Sequence, residues 1–232
     1  MSLQHFLFGV YPYIALTVFL LGSLIRFDRE QYSWKADSSQ LLSAKDLRRG
    51  SNLFHIGILA LFAGHFFGLL TPHGVFLALG ISDLLHQYLA IGAGALFGLI
   101  CMLGGVILWR RRMFNPRVRA TTRFMDIFIL DWLLVTLGFG LLTLPVSLYH
   151  ALQGDASVMI ALARWAQSIW RLSPDTTVLN QVELIFKIHL FFGLSVFLLF
   201  PFTRLVHVWS APLSYIHRPY QLVRAKYVRY HR

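Results

Sequence analysis

A chain of 232 residues that is 56% hydrophobic and only 13% charged has too few ionic side chains to clothe a soluble domain of that length. Its formal charge of +11 comes from Lys and Arg gathered between apolar runs, not along one polar face, which points to a topology signal and away from a nucleic-acid footprint. Several apolar runs of about 20 residues each can cross a bilayer as helices, and little chain is left for a soluble domain. Residues 1–232 therefore read as a single all-α integral membrane domain.

Five spans are predicted in chain order. The first covers about 6–25, with Tyr11-Pro12-Tyr13 near its start; it lacks a basic leader and a small-residue cleavage site and reads as a retained helix, not a signal peptide. A polar segment over 26–50 follows. Ser51 is a candidate N-cap for the second span, 52–70, which ends at Thr71-Pro72-His73. The next loop has no Lys or Arg and carries Asp83 and His86. The third span, 88–109, holds Gly94 and Gly98 in GxxxG spacing, suited to close approach of a backbone or a flat cofactor. Cys101 inside it is the single cysteine and reads as a small core residue. The fourth span is 125–148. In the connection after it, 158–170 is predicted to be a short amphipathic helix on the membrane surface. The fifth span, 182–208, contains Pro201 and leads into a basic tail, 209–232.

Charge orients the spans. Six Lys/Arg lie in the first loop, six between Arg110 and Arg123, and six after Pro201, against Arg164, Arg171 and Lys187 on the other side. The positive-inside rule then predicts an N-terminus outside and a C-terminus in the cytoplasm.

An ionisable side chain inside a span is a functional-site hypothesis by default. Of ten histidines, His55, His65, His189 and His207 lie in or at the ends of only two spans, the second and the fifth. These spans run in opposite directions, so depth pairs His55 with His207 and His65 with His189. The rise per residue strains the pairing: ten residues from His55 to His65 span about 15 Å, while eighteen from His189 to His207 span about 27 Å. Tilt and a kink or unwinding near Pro201 are required to absorb the difference. Two stacked bis-histidine sites suit haem iron used for electron transfer. Gly57, Gly64, Gly68 and Gly193 flank the histidines at helical spacings, and Lys187 and Arg204 are candidate partners for anionic propionates. No CxxCH occurs, so covalent attachment is excluded. Zinc is the chemical rival but wants three or four protein ligands; packing histidines in a transporter subunit are the duller alternative.

At these same residues the chain resembles a known family. Ser51-Asn52-Leu53-Phe54-His55-Ile56-Gly57, Gly64-His65-Phe66-Phe67-Gly68 and Thr71-Pro72-His73 are similar to the gamma subunits of respiratory nitrate reductases, which are membrane di-haem cytochromes b. So are Tyr11-Pro12-Tyr13-Ile14-Ala15, Pro116-Arg117-Val118-Arg119-Ala120-Thr121-Thr122, Trp165-Ala166-Gln167-Ser168, and Phe200-Pro201-Phe202 through Arg204-Leu205 to His207-Val208-Trp209-Ser210.

The resemblance implies two haem b groups, the inner on His55 and His207, the outer on His65 and His189. It implies a membrane quinol site beside the outer haem, associated with Gly64 and His65. A family lysine in the loop before the third span falls on His86, which can also hydrogen-bond a quinol oxygen. It further implies a bacterial cytoplasmic (inner) membrane location. The implied partners are an iron–sulfur beta subunit and a molybdenum-containing alpha subunit on the cytoplasmic side, the latter holding the nitrate-reducing site. A di-haem cytochrome b serving a hydrogenase, a formate dehydrogenase or a sulfur-metabolising complex is the nearest alternative.

Overall fold

The structure is a computed structural model that describes residues 2–30, 32 and 44–210. The basic tail after Ser210 and most of the first polar loop lie outside the described residues. The described residues form helices only, five of them long and apolar enough to cross a membrane. These are α1 (Leu3–Arg29), α2 (Ala44–Leu70), α4 (Asp83–Phe114), α6 (Phe124–Leu152) and α8 (Leu184–Leu199, continued by a 3-10 turn Phe200–Phe202). Shorter helices α3 (His73–Ala78), α5 (Pro116–Thr121) and α7 (Ser157–Trp170) lie between them. Apolar side chains face outward along the bundle, Leu59 at 65% and Leu99 at 61% exposure among them, as lipid contact requires and water would penalise.

The helices pack as a curl. α2 lies along α4, α4 along α6, α6 along α8, and α8 along α1. Glycines set the first contact: a Cβ at Gly57 would meet the Cys101 backbone, and one at Gly104 would meet the backbone of Phe54 and Gly50, so α2 and α4 touch main chain to main chain. Gly94 and Gly98 face Leu144 and Leu141 of α6. The expected GxxxG face therefore serves helix packing.

Two expectations need correction. Ser51 does not cap the second span; the helix starts at Ala44, because the run Ala44-Lys45-Asp46-Leu47-Arg48-Arg49 is itself helix-forming, with Asp46 in the first turn. The fifth span does not continue to 208. Pro201 has no N–H and crowds the carbonyl four residues back, so α8 ends at Leu199 and Thr203 turns extended (φ −122°, ψ 179°). A separate 3-10 stretch, Arg204–Ser210, then carries His207. The carbonyls of Pro201 and Thr203, freed by this break, accept from the Arg26 guanidinium of α1 at 2.7 and 2.8 Å, and Gly22 lies against the Pro201 ring. The amphipathic helix expected over 158–170 forms as α7, with its apolar face packed against the bundle. Val158, Trp165 and Ile169 are buried in a cluster with Phe8, Leu179, Val182 and Phe186, and Ser168 is buried as well. Trp165 Nε1 donates to the Phe8 carbonyl at 2.8 Å, and Gln167 Nε2 donates to the carbonyls of Leu69 and Thr71, closing the end of α2.

Candidate functional site

Between α2 and α8 the curl leaves a gap, and the four span histidines reach across it. The His55 and His207 rings face each other with centroids 6.1 Å apart. The His65 and His189 rings stand 6.0 Å apart. The spacing mismatch disappears because His207 belongs to the segment after the Pro201 break, where the α8 rise no longer counts.

All four rings are held in the same way. Nδ1 sits 2.7 Å from the Ser51 carbonyl in His55, 2.7 Å from the Leu61 carbonyl in His65, 3.0 Å from the Thr136 carbonyl in His189 and 2.7 Å from the Arg204 carbonyl in His207. A carbonyl only accepts, so each Nδ1 carries the proton and each Nε2 keeps its lone pair. Among the described residues no hydrogen bond reaches any of these Nε2 atoms. Backbone-anchored Nδ1 with free Nε2 is how metal-binding imidazoles are oriented. A metal shared by two imidazole nitrogens at about 2 Å each, with about another ångström to each ring centre, puts the centroids roughly 6 Å apart. Both pairs fit that span. No group of three or more His, Cys, Asp or Glu that could hold a metal ion occurs among the described residues, so the donor set suits a metal whose other ligands come with a cofactor, not zinc on protein ligands alone.

Beside the His65–His189 pair lies a cavity of about 270 Å³ walled by α2, α4, α6 and α8 and roofed by α7. Its lining includes Gly64, His65, Gly68, His86, Gln87, Gly140 and His189. His86 stacks on Phe76 of α3 (centroids 4.1 Å, 27°), and its Nε2 is the nearest atom to a Cβ built at Gly68, at 3.6 Å. His73 leaves the site to pair with Asp83 at 3.2 Å.

The small residues divide by role. Gly64 and Gly193 have open space where a Cβ would point, whereas Gly57 is consumed by the Cys101 contact. The glycine that admits a histidine ring is Gly140 of α6, whose Cβ would lie 2.8 Å from His189 Cε1. Sequence reasoning missed it, because its place four residues after Thr136 acquires meaning only once the Thr136 carbonyl is seen to anchor His189. Arg204 meets Asp126 at 3.7 Å, and Arg112 meets the same carboxylate at 3.6 Å. Asp126 was also missed; a lone acid opening an apolar span next to an arginine-rich loop marks it. Lys187 is half-buried near the start of α8 and forms no ion pair with another described residue.

Comparison with known proteins agrees along almost the whole chain. The family described as nitrate reductase gamma subunit matches residues 4–226. Respiratory nitrate reductase 1 gamma chain of Escherichia coli (strain K12) is 50% identical over 226 residues, covering 97% of this chain and 99% of that one. Respiratory nitrate reductase 2 gamma chain of the same strain is 46% identical, covering 97% and 98%. Nitrate reductase gamma chain of Bacillus subtilis (strain 168) is 39% identical, covering 95% and 97%. Matched over nearly its full length by the family and by relatives of its own size, the chain belongs to the nitrate reductase gamma subunit family.

Proposed function

We propose that this chain is the quinol-oxidising di-haem cytochrome b subunit of a respiratory nitrate reductase. The observation that carries the reading is the pair of facing imidazole couples, each ring with Nδ1 tied to a carbonyl and Nε2 free. His55 with His207 and His65 with His189 would hold two haem b groups, which when bound supply one-electron redox chemistry at two depths of the membrane. The charge of the loops supports an N-terminus outside and a C-terminus in the cytoplasm, within a bacterial inner membrane. That makes His65–His189 the outer site and the adjoining cavity the quinol site.

The chain's own residues do the rest. Gly64 leaves its side of the pocket open, His65 and His86 line it, and His86 offers a ring nitrogen to a quinol oxygen. α7 and the apolar cluster it shares with Phe8, Leu179, Val182 and Phe186 keep bulk water from the pocket roof. Arg204, fixed by Asp126, and Lys187 are the cations available to propionates at the inner and outer levels. Electron flow from the outer to the cytoplasmic side is electrogenic, worth about 2.3 kcal/mol per charge per 100 mV. The partners in this reading are an iron–sulfur beta subunit and a molybdenum-containing alpha subunit on the cytoplasmic side, with Arg110, Arg117 and Arg119 exposed at that end.

The test is spectroscopic. Membranes carrying the assembled complex should show b-type absorbance that menadiol reduces and nitrate then reoxidises. Absence of b-type absorbance after dithionite overturns the cytochrome reading. Absorbance reduced by dithionite but not by menadiol overturns the quinol assignment.

A further inference from the structure

Gln87 is the least expected wall of the cavity beside His65 and His189. Its side chain is only 3% exposed, and it lines the same space as His86, from the next position on α4. Its Nε2 donates to the Ser147 carbonyl of α6 at 2.9 Å. Because that carbonyl only accepts, the amide has one orientation, with the nitrogen on Ser147 and the oxygen on the other side. Yet Gln87 Oε1 is buried with no hydrogen-bond partner. A buried acceptor left unmade is costly and calls for a partner the chain itself does not supply.

The chemistry of that partner is narrow. An oxygen acceptor needs a donor, so ionised carboxylates such as propionates do not satisfy it. A quinone, whose two ring oxygens are carbonyls, does not satisfy it either. A quinol does, through an O–H. We propose that Gln87 Oε1 accepts a hydrogen bond from a quinol hydroxyl in this cavity and thereby makes the site prefer the reduced form over the oxidised one. The inference rests on the quinol reading above and deepens it. His86 can donate or accept according to its protonation and so holds either form, whereas the Gln87 oxygen tells them apart. Loss of the hydrogen bond on oxidation then favours release of the product. The amide's other end is already tied to α6, which fixes the oxygen as the atom left to accept.

The experiment uses membranes with the assembled complex, wild type and Q87M, a side chain of similar length with no donor and only a weakly accepting sulfur. Three quantities are measured: dithionite-reduced b absorbance, KM for menadiol, and the inhibition constant of menadione as product. The expected result is a wild-type haem spectrum in Q87M, a rise of about tenfold in the menadiol KM, and a menadione constant within twofold of wild type. An unchanged menadiol KM, or an equal weakening toward menadiol and menadione, overturns the proposal. If Q87M lacks haem absorbance, Q87E replaces it. That variant keeps an oxygen acceptor at the same reach, so its ratio of menadione constant to menadiol KM should stay within twofold of wild type. A tenfold fall in that ratio would overturn the role of the oxygen. Wild-type membranes in which menadiol reduces no haem would instead sink the quinol reading itself, a result distinct from any behaviour of the variants.

Discussion

The contact between α2 and α4 predicts an unusual sensitivity at Gly104, which lies in a helix that supplies none of the four facing histidines. An alanine Cβ there would sit 2.8 Å from Phe54 Cα and 2.8 Å from the Gly50 carbonyl oxygen, and closer still to the Phe54 nitrogen. All three are main-chain atoms, so no side chain can swing away. Restoring ordinary carbon contacts requires the helices to part by about 1 Å, at a cost of about 1–3 kcal/mol as in other overpacked cores. The displacement falls next to His55, the residue after Phe54. A shift of about 1 Å is several times the tolerance of roughly 0.2 Å that metal–ligand bonds allow, whatever its direction. The 6.1 Å spacing of His55 and His207 would therefore be lost. His65 lies eleven residues beyond Phe54, about 16 Å along the helix, where tilting about the contact moves it less. G104A should therefore lose the haem on His55–His207 and keep that on His65–His189. The assay is haem b per chain and a redox-resolved dithionite spectrum, with G74A as control, since a Cβ at Gly74 meets nothing within 4 Å. Two full haems in G104A, or equal loss of both, would refute the argument.

Single histidine replacements separate the two levels more directly. H65A and H189A should each remove one haem and spare the other, and H55A and H207A should do the converse; loss of both haems from every variant would count against the pairing by depth. R26Q removes a cation whose guanidinium holds the Pro201 and Thr203 carbonyls. Hydrogen bonds to a charged group are worth about 1.5–3 kcal/mol, so R26Q should shift the midpoint of the His55–His207 haem in a redox titration and leave the other in place. Asp155 accepts from the Ser157 N–H at 2.8 Å at the start of α7, and that bond holds its carboxyl below the usual carboxylate range. A lowered folded pKa means the cap is fully present above the unfolded value, about 3.9, and is lost as pH falls through the folded value. D155A should therefore speed proteolysis of the 153–157 turn at pH 7, and the difference from wild type should shrink below about pH 4. A difference that persists unchanged in acid would contradict the capping role.

How much of this arrangement the residues reveal on their own depends on whether the deciding contact is local or between helices. Five spans were legible because apolar length is a property of each segment alone. The pairing by depth followed from alternation of spans, and the facing rings of His55 with His207 and His65 with His189 have that arrangement. The rise from His189 to His207 looked like a contradiction only while one helix was assumed to carry both. Pro201 held the answer, and the carbonyls it frees accept from Arg26, a residue 175 positions away from Pro201. The extent of α2 before Ser51 was legible in principle, because helix-forming residues precede the cap candidate; a charged run was read as loop where it extends a helix beyond the apolar span. The roles of Gly57 and Gly140 were not legible, since spacing along one helix does not say which neighbour faces it. Gln87 shows the same limit from the other side. On a helical pattern it is one polar residue near a span end, and only the Ser147 carbonyl of the neighbouring α6 fixes its amide and leaves its oxygen as the unpartnered acceptor. The residues proposed to hold a metal declare themselves by type and depth, whereas the residue that would sort reduced from oxidised substrate is defined by what its far end already bonds.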